Sequence, residues 1–189
     1  MTHAYVFGYG SLVNRQTHGY RDAWKARIAG WRRAWRHLEG RAAALLTVIE
    51  DRQSRIDGLI AAVPEAERAA LDLREQNYLK ARVDNVEHNL PRNPEVHIYH
   101  APDWMHRPAR SMTPIALSYL DVVVQGYLAE FGEAGVTRFF ETTDGWDAPV
   151  LNDRDAPIYR RHRQPGAMER GLVDDHLSAL GAGQEMHRP

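Results

Sequence analysis

The sequence predicts an α+β fold built on a compact mixed sheet or a small barrel. Short segments with the apolar or alternating patterns of β-strands fill the first half of the chain, and helical periodicity enters late. Because strands and helices do not alternate regularly, the order argues against a doubly wound α/β sheet. The 189 residues, 43% of them hydrophobic, suit one folded domain. We assign residues 1–180 to that domain and residues 181–189 to a disordered tail.

Six segments of the first hundred residues are apolar or alternate in the way of strands. They are Ala4–Gly8, Ala26–His37, Ala42–Glu50, Ser54–Val63, Tyr78–Glu87 and Glu95–His100. Gly30 predicts a break inside the second strand, and the polar residues Glu50–Arg55 predict a turn between the third and the fourth.

Four segments have the spacing or the start signals of helices. They are Pro64–Gln76, Pro114–Phe131, Val136–Thr142 and Arg170–Leu180. Proline suits the first helical position, and Thr113 precedes Pro114 as the predicted N-cap. Residues 101–113 are expected to form a loop that could cover a site, and residues 143–166 an irregular segment.

Composition narrows the class of protein. The net charge is −1 and cysteine is absent, so neither a bulk field for nucleic acid nor thiolate chemistry is expected. We see no secretory signal and no apolar run of the roughly 20 residues that span a bilayer, and expect a cytoplasmic protein without membrane association. The histidines lack ligand spacing, with His97 and His100 on opposite faces of a predicted strand, so no metal is expected.

The first strand ends in "FGYGSL", where two glycines flank Tyr9 and Ser11 follows. Glycine allows a positive φ and a close approach to the backbone, so this turn can direct N–H groups at a carboxylate, a phosphate or an oxyanion. The motif is neither a phosphate-binding P-loop nor a dinucleotide fingerprint, because the lysine and the third glycine are missing. A plain tight turn capped by Ser11 is the alternative.

Glu75 ends the first predicted helix, immediately before the strand that begins at Tyr78. A carboxylate at such a junction can be half buried against the sheet, which raises its pKa and suits a base at neutral pH. The alternative is a solvated acid balanced by Arg74 and Lys80.

Together these stretches resemble the γ-glutamylcyclotransferase family, including its ChaC-type and AIG2-like members. The resemblance covers residues 5–131 and rests on five motifs in order. They are "FGYGSL" (Phe7–Leu12), "GWRRAW" (Gly30–Trp35), "IDGLIAAV" (Ile56–Val63), "LREQNYLKARV" (Leu73–Val83) and "SYLDVVVQG" (Ser118–Gly126).

The resemblance implies a small mixed β-barrel flanked by helices and an enzyme that needs no cofactor. Family members release 5-oxoproline from γ-glutamyl compounds when the substrate's α-amine attacks its own γ-carbonyl. Glu75 is then the general acid/base, and the substrate loop comprises Tyr9, Gly10, Ser11 and Leu12. Tyr78 and Tyr119 match tyrosines in the family motifs and are candidates to line the pocket.

Two departures from the family pattern argue against glutathione as the substrate. The region of the Gly-Thr-Pro…Pro-Gly-Arg pattern reads "EGRAAALLTVIED", and Gln76-Asn77 replaces the usual glycine between the glutamate and the tyrosine. The leaving group is left open, and γ-glutamylamines remain candidates. The rival class is a non-catalytic protein that binds a small ligand on the same fold.

Two further features bear on partners. The cluster "GWRRAWRHLEGR" mixes tryptophan and arginine as nucleic-acid surfaces do, but on a strand it is explained more simply by arginine stems that cover a two-sided sheet. Trp104 and Trp146, in predicted loops, could line a pocket or mark an interface, so a homodimer stays open.

Overall fold

The computed structural model describes residues 4–20, 22–38, 40–76, 78–91, 93–102, 107–108, 113–182 and 185–187. Its strands are β1 (Ala4–Gly8), β2 (Ala23–His37), β3 (Leu45–Val63), β4 (Leu79–Val83), β5 (Val86–His88), β6 (Val96–His100), β7 (Arg107–Pro108), β8 (Ile115–Ala116), β9 (Thr143–Asp144), β10 (Val150–Asn152) and β11 (Glu185–His187). Its helices are α1 (Arg68–Arg74), α2 (Leu117–Glu141) and α3 (Ala167–Ala179), with short 3-10 turns at Ser11–Val13, Arg15–Thr17 and Glu65–Glu67.

The main sheet is mixed and curls into a half barrel. Its strands lie in the order β4-β6-β1-β3-β2-β5, and β7 and β9 pair with β2. β1 pairs antiparallel with β3 along its whole length and parallel with β6 at Tyr5 and Val6, so its carboxyl end at Gly8 is held by β3. The predicted α+β class with a barrel-like mixed sheet flanked by helices is confirmed.

The long β2–β3 hairpin corrects one predicted break. The polar residues Glu50–Arg55 do not end a strand, because β3 continues through them. Residues 51–54 instead bulge opposite Gly30, which has a φ of +85°, and Asp51 accepts hydrogen bonds from Gln53 N (3.0 Å) and Ser54 Oγ (2.5 Å) within the bulge. The predicted irregularity at Gly30 is confirmed. The polar residues that predicted a turn form a β-bulge instead.

The predicted strand Tyr78–Glu87 is divided in two. β4 pairs with β6, whereas β5 pairs with β2 at the far side of the sheet. Asn85 takes a φ of +57° between them, a left-handed conformation that asparagine tolerates. The alternation of side chains continued across this turn, so the pattern could not reveal it.

Helix α2 begins later and ends later than predicted. Thr113 and Pro114 do not start it, because β8 pairs with β10 and Ala116 becomes the N-cap residue. The predicted short helix Val136–Thr142 belongs to its second half, beyond a kink at Gly132 with a φ of +67°. Most of the predicted covering loop 101–113 lies outside the described residues.

The small parallel sheet β11-β10-β8 joins the C-terminal part of the chain to the start of α2. Within the segment 181–189 that we expect to be disordered, Glu185–His187 pairs with β10. The assignment of residues 1–180 to one domain stays a prediction. In the described part of the chain, no helix is both long enough and apolar enough to cross a membrane.

Candidate active site

A cavity of about 430 Å³ opens at the carboxyl end of β1. Small-molecule sites have volumes of about 300–1,000 Å³. All seven residues predicted for the site line this cavity: Tyr9, Gly10, Ser11, Leu12, Glu75, Tyr78 and Tyr119. The structure therefore brings together side chains from the β1 turn, the end of α1, the start of β4 and the first turn of α2.

Gly8 and Gly10 are required because neighbouring atoms lie too close to leave room for a Cβ at either position. Neither Gly8 nor Gly10 has a positive φ. A Cβ on Gly8 would lie 2.5 Å from Leu12 Cβ, and one on Gly10 would lie 2.6 Å from the Tyr119 hydroxyl. The chain then enters the 3-10 turn Ser11–Val13, closed by a hydrogen bond from Val13 N to Gly10 O at 2.9 Å. The positive φ that glycine would have allowed is not used here, and the packing around a narrow turn explains both residues.

The turn rests on a buried cation. Arg33 is fully buried and donates hydrogen bonds to Tyr9 O (3.2 Å), Asp57 O (2.7 Å), the Tyr127 hydroxyl (2.6 Å) and Thr142 Oγ1 (2.7 Å). The Tyr127 hydroxyl lies 2.9 Å from Tyr9 O and 2.7 Å from Asp57 O, and its single proton is shared between these two acceptors. The carbonyl of Tyr9 is thus held from the core side, which fixes the backbone facing the cavity. The sequence predicts only that the arginines of this strand cover the sheet with their stems, and the fold shows that Arg33 reaches the turn.

Three contacts place the end of α1 beside the turn. Leu71 is buried in the core, and the Tyr99 hydroxyl donates to Asp72 Oδ1 at 3.1 Å. Arg74 Nη2 donates to Ser11 Oγ at 3.2 Å. Glu75 caps the helix, with its N–H bonded to Leu71 O at 2.9 Å, and its side chain is only 14% exposed.

Burial raises the pKa of Glu75, and the cations of Arg74 and Arg161 offset part of that rise. Arg74 Nε lies 3.1 Å from Glu75 Oε1. A solvated acid balanced by Arg74 and Lys80 is therefore the wrong description, although the contact with Arg74 is real. A carboxylate whose pKa lies above its usual range is a better proton acceptor and donor near neutral pH.

Three tyrosines of the predicted set surround the acid. Burial raises the pKa of Tyr9, of Tyr78 and of Tyr119, so their hydroxyls stay protonated at neutral pH. The Tyr9 hydroxyl donates to Tyr99 O at 2.8 Å, and the Tyr119 hydroxyl accepts the Ser11 N–H. The tyrosine hydroxyls around Glu75 are thus neutral, and Glu75 is the one carboxylate among the described residues that line the cavity.

Sequence reasoning missed several residues that line the cavity. They are Arg41, Arg74, Tyr99, Tyr159 and Arg161. The position of Arg74 next to Glu75 was the one available signal, and it was interpreted as surface pairing. The sequence suggests that the stretch Asp144–Arg163 could cover the substrate or form an oligomer contact, but no local pattern singles out Tyr159 or Arg161, because this irregular segment is positioned by tertiary contacts.

Of Trp104 and Trp146, the two tryptophans predicted to lie in loops, only Trp146 is in the described part of the chain, and it does not line the cavity. Trp146 is neither a cavity wall nor an exposed contact, since it is buried and stacks on Phe140 with 4.8 Å between ring centroids. Trp104 lies outside the described residues. Within those residues no group of three or more His, Asp or Glu side chains is arranged to hold a metal.

The fold is shared with solved γ-glutamyl cyclotransferase-like structures. A structure named gamma-glutamyl cyclotransferase matches with a TM-score of 0.57 at 11% identity, covering 91% of this chain and 98% of that one. An uncharacterized protein from Homo sapiens matches with a TM-score of 0.59 at 12% identity, covering 92% and 99%. YkqA from Bacillus subtilis matches at 0.58 and 19% identity over 77% of this chain, which spans 57% of YkqA's length. At these identities the likeness establishes the fold.

The family follows from the sequence match. The profile of the family described as ChaC-like protein matches residues 4–120, more than half of the chain, and the chain belongs to this family. The matched range contains the glycine turn, Glu75, Tyr78 and Tyr119. Comparison with curated proteins gives no match.

Proposed function

We propose that this protein is a γ-glutamyl cyclotransferase that releases 5-oxoproline from a γ-glutamyl amine or peptide. The observation that carries the proposal is the position of a largely buried carboxylate, Glu75, in one cavity with the glycine turn at Tyr9–Leu12. The family and the fold support the same class of reaction.

The reaction needs no nucleophile from the protein. The α-amine nitrogen of the substrate attacks its γ-carbonyl carbon, so a C–N bond forms in a five-membered ring while the C–N bond to the leaving amine breaks. The α-ammonium group gives up two protons in total, and the leaving nitrogen gains two when it departs and becomes an ammonium ion. Holding both reacting groups in a ring-like pose supplies much of the rate, because the attack is intramolecular.

Glu75 moves these protons. An α-amino group has a pKa of about 7.7–8.0 and a free glutamate one of about 4.3, so an ordinary glutamate is a weak base for it. Burial narrows that difference for Glu75. It accepts a proton from the α-amine and returns one to the leaving nitrogen.

The glycine turn holds the glutamyl end. A backbone fixed by Arg33 and Tyr127 from below loses little freedom when substrate binds, and the narrow turn lets the ligand approach the main chain. The Ser11 hydroxyl accepts from Arg74 and retains its own proton for a substrate oxygen.

The proposal is tested by incubating the purified protein with γ-glutamyl dipeptides, γ-glutamyl-lysine and glutathione and measuring 5-oxoproline. We expect release from at least one γ-glutamyl compound without added cofactor. Tight binding of these compounds with no product from any of them would favour the non-catalytic binding protein instead.

A further inference from the structure

The cavity has an excess of positive charge. Arg41, Arg74 and Arg161 line it, against Glu75 as the acid among the described lining residues. Arg74 is engaged by Glu75 and Ser11. Arg41 and Arg161 are both exposed, and neither forms an ion pair within the part of the chain that the structure describes. The cavity therefore contains a guanidinium, unpaired among the described residues, that could bind an anionic group of a ligand.

The backbone around Arg161 is firmly positioned. The carboxylate of Asp153, itself 2% exposed, accepts hydrogen bonds from Ser118 N (2.8 Å), Ser118 Oγ (2.5 Å) and Ile158 N (2.9 Å). Tyr159 N then donates to Ser118 Oγ at 3.2 Å. Because Ser118 lies in the first turn of α2, next to Tyr119, this network fixes the irregular segment against one wall of the cavity.

Tyr159 adds an unused hydrogen-bonding group. Its ring meets Tyr119 edge-on at 5.0 Å between centroids, and its hydroxyl is buried without a hydrogen-bond partner among the described residues. Leaving a buried hydroxyl unsatisfied is unfavourable, so a ligand that bonds to it gains affinity. Tyr159 and Arg161 are two positions apart, and both line the cavity.

We propose that Arg161, together with the Tyr159 hydroxyl, binds a carboxylate on the leaving group, so that the substrate is a γ-glutamyl amino acid or peptide in preference to a γ-glutamylamine without that carboxylate. The inference rests on the proposed function. A guanidinium pairs with a carboxylate through two parallel hydrogen bonds, which gives both charge and geometric selection.

The position of Arg161 in the chain favours the leaving group over the glutamyl end. The glycine turn and Glu75, which handle the γ-glutamyl part, lie inside the family match at residues 4–120. Arg161 and Tyr159 come from the segment after β10, outside that match. They line the cavity from outside the part of the sequence that the family profile recognises, which is where we expect contacts to the variable part of the substrate.

The test compares substrates that differ at the carboxylate alone: γ-glutamyl-alanine, its neutral γ-glutamyl-alaninamide, and γ-glutamyl-ethylamide, which lacks the group. We expect the wild type to prefer γ-glutamyl-alanine in kcat/KM by about 10- to 100-fold, as for a charge-assisted contact. Because Arg161 also lowers the pKa of Glu75, the rates are compared above the acidic limb of each pH profile. There Arg161→Gln should remove most of that preference by slowing γ-glutamyl-alanine more than the two uncharged analogues, and Arg161→Lys should retain part of it. Tyr159→Phe should reduce the preference by about threefold to tenfold.

Arg160→Gln is the matched control, since Arg160 is an exposed neighbour that does not line the cavity. It should leave all three rates unchanged. Thermal unfolding verifies that each variant is folded. An equal loss for all three substrates in Arg161→Gln would assign Arg161 to the glutamyl end and overturn the inference, as would a wild type with no preference.

Failure of the proposed function gives a different result. If no compound yields 5-oxoproline, calorimetric binding of γ-glutamyl-alanine and γ-glutamyl-alaninamide to the wild type and to Arg161→Gln still decides the inference. A weaker Kd for the amide by about tenfold, abolished in the variant, supports the carboxylate site. Equal binding, or none, overturns it.

Discussion

Arg74 Nη2 donates a hydrogen bond to Ser11 Oγ at 3.2 Å, across 63 positions of sequence. The same guanidinium places Nε 3.1 Å from Glu75 Oε1. The Arg74 side chain thus connects the glycine turn to Glu75. Its positive charge also lowers the pKa of Glu75.

Removing the Arg74 cation should shift the pH profile of 5-oxoproline release if Glu75 is the base, as we propose. Burial raises the pKa of Glu75 and Arg74 offsets part of the rise, so Arg74→Gln should raise that pKa further. Because the ionised form is the base, the acidic limb of kcat/KM should move to higher pH. Arg74→Lys keeps a positive charge and should move it less.

The control for this shift is Arg55→Gln, which breaks an exposed ion pair with Glu87 at 3.0 Å. Its profile should overlay that of the wild type. An acidic limb that stays in place in Arg74→Gln, or moves to lower pH, would show that Arg74 does not tune the catalytic base.

Gly10 should not tolerate a methyl group. In Gly10→Ala the new Cβ would lie 2.6 Å from the Tyr119 hydroxyl, which must then move and break its hydrogen bond with Ser11 N. We expect a fall in Tm of about 5 °C and a lower kcat/KM.

A second variant isolates the cause. Tyr119→Phe removes the clashing oxygen, and the next ring atom, Cζ, lies 3.9 Å from the added Cβ. The double variant should therefore lose less stability than the sum of the two single changes. Additive losses in Tm would mean that the clash with Tyr119 is not what requires glycine.

Asp57 should stabilise the sheet in a pH-dependent way. Burial alone would raise the pKa of Asp57, but hydrogen bonds from Arg27 and Arg138, each at 2.7 Å, leave it below its usual range. A carboxyl with a depressed pKa stabilises the fold above its unfolded pKa of about 3.9, and this contribution is lost as the pH falls through the folded value.

Asp57→Asn should lower the free energy of unfolding by about 1–3 kcal/mol at pH 7, measured in urea. The difference from the wild type should shrink as the pH falls below about 4. Asp84→Asn serves as the control because Asp84 is 77% exposed and should change stability little at any pH. An Asp57→Asn deficit of the same size at pH 3 and pH 7 would contradict the ion-pair explanation.

The predictable part of the site is the part carried by local chemistry. Two glycines that end a strand and a glutamate that ends a helix leave recognisable patterns, and both lie where the sequence led us to expect. The reason for glycine differed, since Gly10 makes room for Tyr119 and needs no left-handed backbone. The local sequence indicates that position 10 must lack a side chain. Only the tertiary structure shows that the Tyr119 hydroxyl would collide with one.

The rest could not be predicted because it depends on segments distant in sequence. Arg33 reaches the Tyr9 carbonyl from another strand, and Arg161 is positioned through Asp153 and Ser118. The start of α2 was predicted wrongly for the same reason. Thr113-Pro114 has the sequence of a helix start, but the following residues Ile115–Ala116 form β8 and pair with β10. Tertiary hydrogen bonds of this kind override local propensity.

The role of Glu75 is tested most directly by Glu75→Gln, measured on the γ-glutamyl compound that the wild type converts fastest. The amide keeps the size of the side chain and cannot shuttle a proton, so kcat for 5-oxoproline release should fall by about 10²- to 10⁴-fold. Binding of the compound by calorimetry should stay within a few-fold, and the exposed Glu87→Gln should behave as the wild type. A Glu75→Gln variant that releases 5-oxoproline at nearly the wild-type rate would contradict the assignment of the buried acid as the catalytic group.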